Sequence, residues 1–357
     1  MCKLNVAILF GGNSSEHEVS RASATAIIEG ISKEKYNVFV LGITKSGEWL
    51  LYSGNTQNII DGSWEKDSNN KKAFISPDAG VKGIIVLKDD KFEILKLDVI
   101  MPVFHGKNGE DGTMQGIATL ADIPFAGCGV TASAVCMDKV MTNTILACNG
   151  INKADFYWFY MRDFKKDPQK HVNEIERKIK SYPMFVKPSN AGSSVGISKV
   201  KNRDELLGAI EIASKEDTKI LIEEEIVGQE IECGMLGNCD PIVSIPGEVI
   251  HANEFYSYND KYNCTDKISI SANLSPEVSL EVREVSKKAY KLLGCAGLAR
   301  VDSFVEEGTN KIYVNEINTF PGFTPNSMYP KVMEHTGYGL SKLIDELINY
   351  AIEGEYS

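Results

Sequence analysis

Two short segments hold the densest set of chemically capable side chains, Leu298-Ala-Arg-Val-Asp-Ser-Phe304 and Tyr313-Val-Asn-Glu-Ile-Asn318. On a strand, side chains two apart share a face, so Arg300 and Asp302 point one way, and Glu316 and Asn318 do the same. The stretch from Glu306 to Asn310, with Gly308 inside it, reads as a hairpin connection that brings the two polar faces together. Carboxylates, an amide and a nearby guanidinium, with no His or Cys, suit Mg²⁺ holding phosphates rather than zinc. Read alone, the pattern also fits two edge strands whose polar face is merely solvated. A second candidate is Phe185-Val-Lys-Pro-Ser-Asn-Ala-Gly-Ser-Ser-Val-Gly196, where Lys187 and a flexible Gly/Ser tip offer an ammonium and backbone N–H groups to an anion. By itself this is equally an ordinary hairpin tip. There is no G-x-x-x-x-G-K-[ST], and Gly11-Gly12-Asn-Ser is not G-x-G-x-x-G, so the two commonest nucleotide motifs are excluded. His105 opens a glycine-rich turn at the carboxyl end of an apolar strand, where open α/β sheets bind ligands. Glu16 lies in another strand-to-helix turn and could grip a substrate ammonium group.

The elements that must position these residues alternate. Asn5 to Phe10 reads as a strand, Glu18 to Ile31 as a helix whose start has the capping-box spacing Ser15/Glu18, Val38 to Ile43 and Asp98 to Phe104 as further strands. Ser53 to Asn70 reads as a surface excursion. Helices follow at Thr113 to Ala121 and Ser133 to Cys148. Strand and helix in alternation predict an α/β domain with a parallel sheet. Beyond Ile151 come a charged helix at Pro168 to Lys180, paired strands around the Gly/Ser tip, and strands at Ile220 to Glu224, Glu230 to Leu236 and Ile242 to Val249. A polar loop at Tyr256 to Ile268, a helix at Glu277 to Leu293 and a final helix at Leu340 to Ile352 complete the chain.

Composition narrows the class. The 357 residues carry 38 Lys and Arg against 49 Asp and Glu, a net charge of −11 that argues against binding nucleic-acid backbones. No apolar run is long enough to span a membrane and no leader peptide is visible. The eight cysteines are scattered without C-x-x-C spacing and read as reduced thiols of a cytoplasmic protein.

In order along the chain, these segments resemble the D-alanine:D-alanine ligase family of the ATP-grasp superfamily: FGGNSSEHEVS (10–20), PVFHGKNGEDGTMQG (102–116), MDK (137–139), FVKPSNAGSSVG (185–196), LIEE (221–224), EFYSYNDKY (254–262), RVD (300–302) and NEINTFPGFTPNSMYP (315–330). The resemblance extends to the D-alanine:D-serine and D-alanine:D-lactate ligases of vancomycin resistance. It implies an α/β fold, α+β overall, in which an N-terminal parallel-sheet domain (1–137) precedes a two-subdomain ATP-grasp fold (138–232 with a lid loop, 233–357 with the metal site and a substrate loop). It also implies ATP and two Mg²⁺ ions, with Mn²⁺ able to substitute, a homodimer, and peptidoglycan precursor synthesis in the cytoplasm without nucleic-acid or membrane partners.

By motif, Lys139 and Lys187 resemble the phosphate-side lysines; Gly192, Ser193, Ser194 and Val195 the lid over the triphosphate; Glu223 and Glu230 the adenine and ribose contacts; Asp302, Glu316 and Asn318 the metal ligands. Glu16 and His105 resemble the residues at the first amino acid's ammonium and carboxylate. Ser193, Tyr262 and Glu16 match a hydrogen-bonded trio that closes the loop. Arg300 with the Gly322 N–H resembles the oxyanion-stabilising pair, and Ser327 the contact to the second carboxylate. The intact Tyr262 and the apolar Met328, where D-serine-using relatives often have Arg, favour D-alanine as second substrate. Pro325 and Asn190 depart from the usual Ser and Arg, and Glu224 and Glu225 make the adenine end unusually acidic.

Overall fold

The apolar run near the start becomes β1 (Leu4–Gly11), which lies between β2 (Tyr36–Ile43) and β7 (Val99–Val103) and is parallel to both. Its last six residues are fully covered, as a parallel strand flanked by helices requires. The computed structural model describes residues 3–89, 91–250 and 267–354 and arranges them around three sheets. The first sheet is wider than the strand–helix alternation implies. β3 (Trp49–Tyr52), β4 (Lys71–Ile75), β5 (Gly83–Lys88) and β6 (Lys91–Lys96) extend it beyond β2 as an antiparallel meander. The excursion at 53–70 is not wholly surface: between α2 (Thr56–Asp61) and β4, Trp64 is completely buried, edge-on to Phe10 at 4.7 Å.

α1 (His17–Gly30) starts with Glu16, not Ser15, at the N-cap position, and the Glu16 side chain makes no capping bond. The Ser15/Glu18 capping box therefore does not define this helix start; the Glu16 carboxylate is used elsewhere. After α3 (Thr113–Ala121), the single helix expected over Ser133–Cys148 is two, α4 (Val130–Met137) and α5 (Lys139–Cys148). Asp138 breaks it by adopting an extended backbone and accepting the Val140 and Met141 N–H groups as the N-cap of α5.

The second sheet is antiparallel, in the order β10 (Ser198–Val200), β9 (Met184–Pro188), β11 (Lys219–Glu224), β8 (Phe156–Tyr160). One face packs on the core formed with α6 (Met161–Phe164), α7 (Pro168–Lys178) and α8 (Arg203–Ala213). The third sheet contains β12 (Gly228–Leu236), β13 (Ile242–Val243), β14 (Gly247–Ile250), β15 (Lys267–Ser269), β16 (Leu298–Glu306) and β17 (Ile312–Asn318), with β17 at one edge. Its inner face, including Ile231, Cys233, Val301 and Val305, shares a core with α4, α5 and α9 (Pro276–Leu292).

α10 (Met328–His335) packs on β12 of the third sheet, and α11 (Leu340–Glu353) returns to the first sheet. Leu343, Ile344, Leu347 and Ile348 of α11 join Val6, Ile8, Ala24 and Ile27 in one buried cluster. Each such side chain is worth roughly 1.5–3 kcal/mol relative to exposure. Among the described residues no helix is long and apolar enough to cross a membrane.

Candidate active site

The outer faces of the second and third sheets turn toward each other across a cleft of about 370 Å³ that reaches Glu16, Gly106 and Glu110 of the first unit. On the third sheet the strand alternation sends Glu230 and Glu232 of β12, Arg300, Asp302 and Phe304 of β16, and Glu316 and Asn318 of β17 into it. Arg300 lies opposite Asn318, and Asp302 opposite Glu316, as the hairpin reading requires. Between Asp302 and Ser303 the register shifts, so that Asn315 is an extra residue on β17. The bulge falls before Glu316, which leaves Glu316 and Asn318 on one face.

The Arg300 guanidinium forks onto Asp302 (2.7 and 2.6 Å) and lies 3.1 Å from Glu232. Burial opposes its charge, but Asp302 and Glu232 outweigh that and hold it firmly protonated. Asn318 Nδ2 donates to Asp302 at 2.9 Å, which turns the amide oxygen the other way. Two carboxylates and an amide thus share one face, and no group of three or more His, Cys, Asp or Glu side chains forms a cage among the described residues. This donor set fits a divalent ion that completes its shell with water and phosphate oxygens.

From the second sheet, Lys187 reaches diagonally across the β9–β11 ladder to Glu223 at 2.6 Å. Burial works against the Lys187 charge, yet Glu223 raises its pKa above the ordinary value; burial likewise works against the Glu223 charge, and Lys187 with Lys153 draws that carboxyl down. Asn143 of α5 donates to the other Glu223 oxygen at 2.7 Å. Lys139 donates to Ala191 O at 2.7 Å in the lid loop and stands 3.4 Å from Glu316. Asp138 helps place it: the carboxylate takes Lys219 through both oxygens (2.9 and 2.7 Å) and accepts Ser189 Oγ at 2.7 Å, tying the start of α5 to the ends of β9 and β11. Asn190, the departure from Arg, clasps Asp217 through its backbone N–H and its amide (2.9 and 2.8 Å) at the root of the lid loop.

At the first-unit end, Ser193 Oγ donates to Glu16. Ser193 and Ser194 both adopt left-handed backbone (φ 51° and 58°), an arrangement that costs non-glycine residues energy and clusters at functional sites. Glycine is required on both sides of the carboxylate: a Cβ on Gly106 would stand 2.3 Å, and one on Gly192 2.7 Å, from Glu16 Oε2. Glu110, close by, accepts the N–H groups of Gly106 (2.8 Å) and Phe320 (3.0 Å). Burial and the Glu16 charge push its pKa up to about 7.

His105 is buried beside the cleft rather than lining it. Its Nδ1 meets Phe320 O at 3.0 Å, which can only accept, so Nδ1 carries the proton and Nε2 accepts from Ser23 Oγ at 3.0 Å. Ser23 Oγ in turn accepts the Phe323 N–H at 3.1 Å, so the imidazole fastens the 319–327 turn to α1. Within that turn Ser327 Oγ accepts the Thr324 N–H at 3.1 Å and lies close against Gly322. Gly322, Ser327 and Val195 lie outside the cleft lining, as does Met328, which is 3% exposed and packs over Gly247. Tyr262 lies outside the described residues. Of the expected set, Glu16, Lys139, Lys187, Gly192, Ser193, Ser194, Glu223, Glu230, Arg300, Asp302, Glu316 and Asn318 meet in the cleft.

Sequence reasoning missed Glu110, Asn143, Glu232 and Lys153. Glu110 sat inside a quoted motif, whereas Lys153 carried no signal. The Lys153 ammonium bonds to the carbonyls of Val314 and Asn315 (2.6 Å for the latter), and burial pushes its pKa down to about 8.

Two antiparallel sheets clasping a cleft of lysines and hard oxygen donors, behind a mixed α/β unit, define an ATP-grasp enzyme. Residues 5–128 match the family model described as D-ala D-ala ligase N-terminus, and 145–349 the one described as D-ala D-ala ligase C-terminus. A D-alanine–D-alanine ligase from Caldicellulosiruptor bescii is 48% identical over 354 residues, covering 99% of this chain and 96% of that protein. Another from Clostridium novyi is 46% identical over 352 residues, covering 98% of each. Among solved structures, the VanG D-Ala:D-Ser ligase from Enterococcus faecalis superposes with a TM-score of 0.90 at 39% identity, covering 98% of this chain and 100% of that one. The D-alanine–D-alanine ligase from Coxiella burnetii gives 0.85 at 33%, covering 98% and 96%. The chain belongs to the D-alanine–D-alanine ligase family.

Proposed function

We propose that this protein joins two D-alanines into D-alanyl-D-alanine at the expense of ATP, for peptidoglycan precursor synthesis. One observation carries the reading: Lys139 from the start of α5 and Lys187 from the second sheet, with Arg300, Asp302, Glu316 and Asn318 from the third, converge on a cleft that ends at Glu16. The organisation that goes with it is a first unit over 1–137, a central unit with the lid over 138–232 and a last unit over 233–357.

In this reading Glu223 and Glu230 face the nucleoside, while Lys139 and Lys187 neutralise charge on the transferring phosphoryl oxygens. Asp302, Glu316 and Asn318 hold Mg²⁺, which when bound spreads phosphate charge and orients the triphosphate. Glu16 fixes the ammonium of the first D-alanine, and Ser193 draws the lid onto Glu16. The first carboxylate attacks the γ-phosphorus, the bond to the bridging oxygen breaks and ADP leaves. The neutral amine of the second D-alanine, placed by Ser327, then attacks the acyl phosphate carbonyl. Arg300 and the Gly322 N–H meet the developing oxyanion, the amine loses a proton, and phosphate leaves. Because an acyl phosphate hydrolyses in water, the 256–268 loop with Tyr262 excludes solvent. Met328 packs over Gly247 outside the cleft, so the preference for a methyl-bearing second substrate is supported by the full-length D-alanine–D-alanine ligase relatives rather than by this side chain, and apolar sites reject an added hydroxyl only weakly.

The test is ADP release with Mg²⁺ and ATP, comparing D-alanine alone with D-alanine plus excess D-serine or D-lactate, and weighing the products by mass spectrometry. D-alanyl-D-alanine as the main product of every mixture is expected. Dominant mixed product would move the second substrate to D-serine or D-lactate, and amino-acid-independent ADP release would overturn the ligase reading.

A further inference from the structure

We propose that Lys153 is a positioning residue for the phosphate side of the cleft: it holds the β17 bulge in the shape that turns Glu316 and Asn318 toward Asp302. The inference rests on the ATP-dependent reading above and adds a residue that neither motif nor strand arithmetic suggests.

Among the described residues β17 is the edge strand of its sheet, with β16 as its one ladder partner. A bulge sets two residues against one, so part of the backbone there cannot be satisfied by the neighbouring strand. In β17 the extra residue is Asn315, immediately before Glu316. The segment that joins α5 to β8 supplies the missing partners. Val314 N–H donates to Asn152 O at 3.1 Å, and Asn152 Nδ2 donates to Ile312 O at 3.1 Å. The Lys153 ammonium bonds to both Val314 O and Asn315 O. Residues 152 and 153 thus act as a two-residue splint along the open edge.

The consequence reaches the cleft through the backbone. Removing the ammonium leaves two inward-facing carbonyls without their donor, and the peptide between Asn315 and Glu316 becomes free to rotate. Glu316 is the carboxylate opposite Asp302, and it also faces Lys139 at 3.4 Å. A shift there disorders the hard-donor face, while Lys187, Glu223 and the purine end are held by β9, β11 and Asn143. Loss of Lys153 therefore weakens the Mg²⁺-dependent part of nucleotide binding most, because Glu223, though it loses the Lys153 charge nearby, keeps Lys187 and Asn143.

Calorimetric titration of the full chain with ADP, with and without Mg²⁺, separates these parts. Lys153→Met is expected to bind Mg²⁺-free ADP within about twofold of the parent and to lose about 10- to 100-fold of the affinity gained on adding Mg²⁺, the usual cost of removing a support behind a ligand. Lys153→Gln keeps a donor without the charge and should recover part of that gain; it decides the matter alone if the Met variant does not fold. An unchanged Mg²⁺ increment, or equal losses with and without Mg²⁺ as a merely structural role would give, overturns the proposal. The two readings fail separately: a parent without D-alanine-dependent ADP release refutes the ligase assignment, whereas a competent parent with indifferent Lys153 variants refutes only this one.

Discussion

Replacing Gly192 with alanine tests the contact between the 190–196 loop and Glu16 with little else disturbed. Gly192 has no positive φ, so the added methyl costs no left-handed strain. The nearest atoms to the new Cβ would all belong to Glu16: Oε2 at 2.7 Å, Cδ at 3.4 Å and Oε1 at 3.7 Å. To restore ordinary contact the carboxylate or the Gly192 backbone must retreat by about 0.7 Å, which lengthens and weakens the Ser193–Glu16 hydrogen bond. A hydrogen bond to a charged group is worth about 1.5–3 kcal/mol, or about 10- to 150-fold in the balance between an engaged and a released lid. In steady-state ADP-release assays the apparent KM for D-alanine should rise, with that factor as the upper limit, while the thermal midpoint stays put. Gly106→Ala is the contrasting case: its Cβ meets the same oxygen, but φ is +67°, so stability should fall together with activity. Combining Gly192→Ala with Ser193→Ala should cost less than the two separately, because both remove one contact. A Gly192→Ala enzyme that binds D-alanine as tightly as the parent would refute the reasoning.

Glu110 makes stability depend on pH. Its pKa is pushed up to about 7 in the folded chain, so the native state holds a proton that the unfolded state has released, and the stabilisation present below the ordinary carboxylate pKa is lost as pH rises through about 7. The loss is at most about 3 kcal/mol, and Glu110→Gln should flatten the urea midpoint between about pH 5 and 8. Arg300→Lys keeps the charge but not the fork onto Asp302; kcat should fall about 100-fold or more with the fold retained, as read by ADP release and circular dichroism. Asp138→Ala strips the α5 cap and leaves the Lys219 ammonium uncompensated, and chemical denaturation should show a loss of roughly 3–5 kcal/mol, with Asp138→Asn losing less because it still caps.

The pattern of Arg300, Asp302, Glu316 and Asn318 was legible because strand periodicity is local and the bulge happens to precede Glu316 rather than fall between Glu316 and Asn318. The lid lysine and the Gly/Ser tip were legible for the same reason: each sits in one short segment. What escaped depends on distant parts. Lys153 acquires meaning only once 152–153 lies along β17, and nothing in Asn-Lys-Ala-Asp announces that. The division of α4 from α5 turns on Asp138 having Lys219, more than 80 positions away, as a partner for its charge. The antiparallel meander β3–β6 hid because its outer strands carry Lys and Glu beside exposed Phe92 and Ile94, a mixture without clean alternation. Trp64 was hidden by its polar neighbours, though its ring fills the space over Gly42.

The return of α11 to the first sheet sets an order of events during synthesis. β1 leaves the ribosome more than 330 residues before Leu343, Ile344, Leu347 and Ile348, which share its core. The second sheet can gather its core from residues 159–222 alone. The first sheet can close one face from residues 7–123 alone, but the face that carries Val6 and Ile8 has to wait. A chain stopped before residue 340 would thus present a closed middle sheet and a first sheet with one open face, and the face around Val6 and Ile8 would be the last to become rigid although it is made well before α11.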